Sequence, residues 1–221
     1  MSVETTIPTA AATVDSIPSH PSSTVPVRTA AIVAGSSLAL MAVLAPLGVM
    51  VALPAGATGA AALVVLLVAA LDVVVGVALY PVVKPGGALL AGTSAALRIA
   101  YAAVFAAAAG SLLAPADTAR FQAIWDAGLL LFGLHLGVAG LAMVRARTMP
   151  TTHPMPTWVG ILLVIAGAGY VVDAVTVALT PANPTAFGEF TFIGEVVLLV
   201  WLIGWGGRVR AGRVREGVSE A

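Results

Sequence analysis

The chain contains no cysteine among its 221 residues. This excludes disulfide bonds, a thiolate nucleophile and any metal site built from cysteine ligands. Charged residues are also scarce, at 9% of the chain, whereas a soluble domain has about a quarter. Ten basic and ten acidic residues give a formal net charge of zero. The chain therefore has no overall positive field that would attract nucleic acid, and no nucleic-acid partner is expected.

Sequence motifs of catalysis are missing as well. The chain has no HExxH, no GxSxG, no phosphate-binding loop and no paired-histidine motif. No catalytic residue, cofactor or metal ligand is therefore predicted. The first 27 residues lack an apolar stretch and are rich in Pro, Ser and Thr. This composition does not predict a cleavable signal peptide, and we expect a disordered tail there.

Apolar residues dominate the composition of the chain. They make up 60% of the chain, and the mean hydropathy is +1.05, so the solvent of this protein is expected to be lipid. Six runs approach the roughly 20 residues that cross a bilayer core. They cover residues 29–53, 60–83, 88–114, 119–144, 156–180 and 187–207. The predicted fold is all-α: a polytopic transmembrane bundle of six spanning helices over residues 28–207, followed by a basic tail over residues 208–221.

The distribution of basic residues predicts the orientation. Six spans place both termini on one side, and Lys and Arg stay on the cytoplasmic side during insertion. The side that holds the termini would carry eight basic residues, and the opposite side only Arg120. The eight are Arg28, Lys84, Arg145, Arg147, Arg208, Arg210, Arg213 and Arg215. We predict a multi-pass protein of the bacterial cytoplasmic (plasma) membrane with both termini in the cytoplasm.

Two opposite charges are predicted at the middle of the membrane. A charged group at the centre of a spanning helix costs roughly 2.5–3.5 kcal/mol on insertion scales, so it is expected to find a partner. Asp72 lies eleven positions before the end of the second helix, and Arg98 eleven positions after Gly87. Because these helices are antiparallel neighbours, we predict a structural ion pair between Asp72 and Arg98. His135 lies at a similar depth, and an interhelical hydrogen bond is predicted for it.

A second group of polar residues is predicted nearer the outer surface. Asp126, Asp173 and Glu195 lie roughly 10–12 Å below the outer ends of three consecutive helices. Tyr170, three residues before Asp173, is a candidate hydrogen-bond partner. We call these four residues the outer polar cluster. Converging carboxyl groups would form a proton or cation site. The alternative is that each acid is individually hydrogen-bonded to a neighbouring helix.

Glycines recur at helical spacing in the fourth predicted helix. Gly133, Gly137 and Gly140 lie on one stripe. Small residues in such a stripe allow a second transmembrane helix to approach closely. We therefore predict a helix–helix contact at this stripe.

Several segments together resemble a known family. They are FGLHLGVAGLAMVRARTMP (132–150), WVGILLVIAGAGYVVDAV (158–175), GEVVLLVWLIGWG (194–206) and LDVVVGVALYPVVKP (71–85). In combination they are similar to the domain of unknown function family 4386, over about residues 28–207. The resemblance implies a six-helix bacterial integral membrane protein. It implies no activity, substrate or site residue.

Three functional hypotheses follow from these features. The first is a non-enzymatic membrane protein, such as a partner or regulatory subunit, and it is favoured because catalytic motifs are missing. The second is a small ion- or proton-coupled transporter that uses the outer polar cluster. The third is an intramembrane enzyme, which would require His135 to share one open pocket with the three acids. The expected partners are the lipid bilayer and either a second copy of the chain or another membrane protein.

Overall fold

The computed structural model describes residues 26–147, 155–180 and 185–208, apart from the side chain of Glu189. Within these ranges the structure is helical and contains no β-strand. The helices are α1 (Val27–Pro46), α2 (Thr58–Val83), α3 (Ala88–Gly110), α4 (Thr118–Ala146), α5 (Thr157–Leu179), α6 (Gly188–Thr191) and α7 (Ile193–Gly204). Nearly all of both predicted tails lies outside the described residues.

The predicted all-α transmembrane bundle is confirmed. Five helical segments are long and apolar enough to cross a membrane: Val27–Ala52, Thr58–Gly86, Ala88–Gly110, Thr118–Ala146 and Thr157–Leu179. The sixth predicted span consists of α6 and α7, which are separated at Phe192. Together they cover residues 188–204, about 25 Å at 1.5 Å per residue. That length is close to the roughly 30 Å of a bilayer core.

The first span changes its geometry at a proline. Pro46 is the last residue of α1, and a π-helical stretch, Leu47–Ala52, continues it. Proline has no N–H for the helical ladder, and its ring clashes with the carbonyl four residues earlier. The change to π-helix accordingly lies directly after Pro46.

The six transmembrane segments form a closed ring. The first five helices each pack against the next one along the chain, and α7 packs against both α5 and α1. Small residues such as Ala31, Ala91 and Ala139 are fully buried in these contacts. Large apolar side chains such as Val43, Leu63 and Val77 are more than half exposed. In this protein such residues face lipid, so their exposure carries no hydrophobic penalty.

Direct backbone contact joins α4 to α5. A Cβ atom added to Gly140 would lie 2.5 Å from the carbonyl oxygen of Gly160, and one on Gly133 would lie 2.7 Å from that of Gly167. Both distances are shorter than van der Waals contact, so only glycine fits at these positions. A Cβ atom on Gly137, the middle residue of the stripe, would meet nothing within 4 Å.

An arginine closes the ring between the first and the last helix. Arg28 donates from Nη1 to the carbonyl oxygens of Leu202 (3.1 Å) and Gly206 (2.8 Å), and from Nη2 to that of Ile203 (2.6 Å). These carbonyls lie at the C-terminal end of α7, where helices leave acceptors unpaired. The start of α1 and the end of α7 therefore meet at one end of the bundle, which we call the basic end.

Candidate functional site

A buried ion pair lies at the middle of the bundle. Asp72 of α2 and Arg98 of α3 are 0% and 1% exposed, and Asp72 Oδ1 lies 2.6 Å from Arg98 Nη2. Gly76, one turn after Asp72, faces Ala95 and Ile99 of α3. A Cβ atom on Gly76 would be in ordinary contact, 3.4 Å from the carbonyl oxygen of Ala95. The approach of α2 to α3 therefore does not depend on glycine at this position.

His135 of α4 is the third member of this network. It is 0% exposed, and its Nε2 lies 3.1 Å from Arg98 Nη1. Its Nδ1 lies 2.8 Å from the carbonyl oxygen of Ser94 and 3.0 Å from the hydroxyl of the same residue. A carbonyl oxygen can only accept, so Nδ1 carries the hydrogen. Nε2 then accepts from the arginine, and the imidazole is neutral.

The network ties three consecutive helices together. Arg98 also lies over the ring of Phe132 in α4, 5.4 Å from its centroid, in the arrangement of a cation–π contact. Both ring nitrogens of His135 are engaged, so this side chain acts as a fixed hydrogen-bonding bridge. The prediction for His135 was an interhelical hydrogen bond, and the structure places its partners on α3.

A cavity of about 940 Å³ lies inside the ring of helices. All six transmembrane segments contribute to its wall, although α2 contributes only Val68. The wall extends from Arg98, in the middle of the bundle, to Met50 and Thr185 at the end opposite the basic end. All four residues of the outer polar cluster line it, and His135 does not.

The helical repeat brings these residues to one surface. On α3 the lining residues are Arg98, Tyr101 and Phe105, which are spaced at i, i+3 and i+7. Residues at these spacings share one face of a helix. The same spacing recurs on α5 with Tyr170, Asp173 and Val177, and α4 has the equivalent spacing of i, i+4 and i+7 with Trp125, Leu129 and Phe132. Each helix therefore turns one stripe towards the cavity.

Aromatic rings form much of the cavity wall. Trp125 stacks on Phe105 with centroids 3.9 Å apart, and Phe105 contacts Tyr101 at 4.1 Å. Tyr101 continues to Phe132 at 4.8 Å, and Phe132 to Tyr170 at 5.2 Å. The five rings form one continuous band across α3, α4 and α5, which we call the aromatic wall.

Asp173 holds the connection between α5 and α6. Its Oδ1 accepts from the Thr185 hydroxyl (2.6 Å) and from the Phe187 amide (2.9 Å), and its Oδ2 accepts from the Gly188 amide (2.5 Å). A carboxylate at the start of a helix satisfies amide groups that lack intrahelical partners. Asp173 therefore borders the cavity but has a structural role.

The other acids of the outer polar cluster have separate partners. Asp126 accepts from the side-chain amide of Gln122, one turn earlier in α4, at 2.8 Å. The Tyr170 hydroxyl interacts with the carboxyl group of Glu195 on α7, whereas the sequence suggested Asp173 as its partner. Glu195 Oε1 is buried and has no hydrogen-bond partner within the part of the chain that the structure describes. The four residues thus share one cavity, and each acid is bonded to a different neighbour.

Several features of this site were not recognised from the sequence. The aromatic wall was missed, although Tyr101, Phe105, Trp125 and Phe132 recur at helical spacing in helices otherwise rich in Ala, Leu and Gly. That spacing is the sequence signal from which the aromatic wall could have been predicted. The contribution of Ser94 to the network and of Arg28 to the end of α7 had no comparable pattern, because both depend on the placement of distant helices.

The ring of apolar helices defines a multi-pass integral membrane protein. A family model described as "Domain of unknown function (DUF4386)" matches residues 33–206. An uncharacterized protein of Archaeoglobus fulgidus is 33% identical over 139 residues, which are 63% of this chain and 79% of that protein. No solved structure matches the chain. The chain belongs to the DUF4386 family, as its resemblance predicted.

Proposed function

We propose that this protein is a non-enzymatic carrier that binds a small polar solute within the bundle. One observation carries the proposal: a cavity of about 940 Å³ connects the outer polar cluster to Arg98 at mid-membrane. Its size lies within the range of about 300–1,000 Å³ that is typical of small-molecule sites. Polar side chains at membrane depth are costly, and those that face a cavity commonly mark a solute pathway.

The polar groups of the cavity favour binding over catalysis. An enzyme of acid–base type would need a positioned base or nucleophile within hydrogen-bond reach of its substrate. His135 is fully buried and has both ring nitrogens engaged, and Asp173 bonds the start of α6. Among the acids of the cavity wall, Glu195 has a buried oxygen without a hydrogen-bond partner in the described chain. A lone carboxyl group of this kind is suited to holding a cation or a proton.

The orientation proposed for the carrier follows the basic residues. In the described part of the chain, Arg28, Lys84, Arg145, Arg147 and Arg208 lie at or near the basic end, and Arg120 lies at the opposite end. The positive-inside rule supports a cytoplasmic location for the basic end in a bacterial cytoplasmic membrane. The cavity would then open towards the periplasm, with lipid surrounding the ring.

Reporter fusions test this orientation. Fusions after Ala57 and Asp117 are expected to give periplasmic signals, and fusions after Lys84 and Arg147 cytoplasmic ones. The reverse pattern would place the cavity mouth on the cytoplasmic side, and a pattern without alternation would contradict the six spans.

Cysteine labelling tests the cavity itself, because the chain has no native cysteine. Leu129→Cys on the cavity wall is expected to react with a membrane-impermeant cationic thiol reagent. The matched control is Leu136→Cys, two turns further along the same face of α4 and 1% exposed. A carrier exposes its site to each side in turn, so we expect Leu129→Cys to react with reagent added from either side of the membrane. Equal protection of both positions from both sides would overturn the proposal.

A further inference from the structure

We infer that the solute is an organic cation, specifically a protonated amine attached to a compact apolar body. The inference rests on the proposed function and assigns the chemistry of the same cavity. In this arrangement an ammonium N–H donates to Glu195 Oε1, and the apolar part of the solute lies against the aromatic wall. Three independent features of the cavity lead to this assignment.

The first feature is the unpaired oxygen of Glu195. Tyr170 interacts with its carboxyl group, and Oε1 is buried without a hydrogen-bond partner among the residues described. Leaving a buried acceptor unsatisfied is unfavourable, and such groups are uncommon in folded proteins. Glu195 lines the cavity, so a rotation of its side chain brings this oxygen to a solute that donates a hydrogen bond. A carboxylate can only accept, so the complementary solute group is a donor.

The second feature is the charge of the cavity wall. Arg98 is the basic residue that the described wall contains, and its charge is already matched by Asp72 at 2.6 Å. Asp126, Asp173 and Glu195 line the same wall. Acidic side chains therefore outnumber the available positive charge in the described wall, and each one that is ionised attracts a cation into the cavity. An anionic solute would find Arg98 already neutralised by Asp72. Any ionised acid in the wall would repel it.

The third feature is the aromatic wall. Aromatic faces attract cations and also provide apolar contact area. Trp125 stacks on Phe105 at one end of the aromatic wall. Tyr170, at the other end, interacts with Glu195, and all four residues line the cavity. A bare metal ion would use little of this surface, whereas an amine with an aromatic or aliphatic body would use both parts. The cavity volume of about 940 Å³ also exceeds what a single ion requires.

Binding of radiolabelled phenethylamine tests the inference. The protein is held in nanodiscs of phosphatidylcholine, whose zero net charge limits the adsorption of amines. Unlabelled phenethyl alcohol and phenylacetate, which carry the same ring with a neutral or an anionic end, serve as competitors. We expect phenethylamine to bind and both competitors to be at least about tenfold weaker, because they lack the charge-assisted bond to the carboxylate.

Two variants of Glu195 and one control test whether the ammonium group bonds to this residue. Glu195→Gln keeps the shape and the acceptor for Tyr170 but removes the charge, and it is expected to weaken phenethylamine binding by about tenfold to a hundredfold. The control is Asp117→Asn, the same chemical change at the exposed N-cap of α4, outside the cavity wall. Asn and Asp are equally good N-caps, so this variant is expected to bind like the unmodified protein. Glu195→Asp, which keeps the charge, is expected to bind better than Glu195→Gln.

The outcomes separate the two proposals. Unchanged phenethylamine binding by Glu195→Gln would overturn the cation site. Binding of phenethyl alcohol or phenylacetate in place of the amine would also overturn it, while the solute-binding cavity would stand. Failure of all three probes to bind, with Leu129→Cys inert to the thiol reagent, would overturn both proposals.

Discussion

Asp72 and Glu195 are both carboxyl groups within the membrane, yet their surroundings differ. Asp72 is 0% exposed and lies against an arginine that His135 also engages. Glu195 borders a large cavity and, unlike Asp72, has no ion-pair partner within 4.0 Å in the described chain. The comparison shows that the energetic cost of a charge in lipid does not by itself indicate function. A charge that other side chains compensate holds helices together, whereas one that faces a cavity is available to a solute.

Removing the compensated acid is expected to have the largest effect on stability. Asp72→Ala leaves Arg98 with an uncompensated buried charge, and breaking a buried ion pair in this way costs about 3–5 kcal/mol. Thermal unfolding of the detergent-solubilised protein measures the loss. Arg98→Leu is expected to be damaging as well, because Asp72 is then the unpaired group.

The double variant Asp72→Ala/Arg98→Leu shows whether the two residues act together. Replacing both members of a buried pair is usually far less harmful than removing one. We therefore expect the double variant to lose less stability than the sum of the two single variants. Simple additivity would show that the pair contributes no coupling energy.

The contact between α4 and α5 is expected to show an intermediate effect. Gly140→Ala places a methyl group 2.5 Å from the carbonyl oxygen of Gly160, so the helices must move apart, at about 1–3 kcal/mol for overpacking. Gly137→Ala is the matched control, since its methyl group meets nothing within 4 Å. The control is expected to be neutral or slightly stabilising, because alanine favours helix. Equal losses in thermal unfolding would contradict the observed packing.

Within the cavity wall, Asp173 is expected to behave as a structural residue. Asp173→Ala removes the acceptor for the Thr185 hydroxyl and for the Phe187 and Gly188 amides. The loss is about 1 kcal/mol, as for a helix N-cap. Hydrogen exchange of the Phe187 and Gly188 amides measures the local effect. Unchanged protection of these amides in the variant would show that Asp173 does not hold this connection.

Counting residues from each turn predicted the features that depend on contacts between helices adjacent in the chain. Asp72 and Arg98 could be placed at equal depth because a short turn at Lys84–Gly86 fixes the register of α2 against α3. The six apolar runs likewise follow from composition alone. The break at Phe192 was missed, because residues 187–207 are apolar apart from Glu189, Thr191 and Glu195.

The cavity could not be predicted in the same way. Its wall depends on the rotation of every helix about its own axis, which closure of the ring determines. The pairing of Tyr170 with Glu195 joins α5 to α7 and required the tertiary arrangement. Depth alone placed Asp126, Asp173 and Glu195 at one level, but it did not reveal that each would have a different partner.

The contrast between the two carboxyl groups is tested most directly by one thermal-shift measurement. The unfolding temperatures of the unmodified protein, Asp72→Asn and Glu195→Gln are compared with and without saturating phenethylamine. A bound ligand raises the stability of the native state by about 2.7 kcal/mol at a hundred times its dissociation constant. We expect Asp72→Asn to unfold at a much lower temperature and still gain from phenethylamine. Glu195→Gln is expected to unfold near the unmodified temperature and, at the same phenethylamine concentration, to gain only about 0.4–1.4 kcal/mol, because its binding is tenfold to a hundredfold weaker. A full phenethylamine shift in Glu195→Gln, or an unchanged unfolding temperature in Asp72→Asn, would contradict the account.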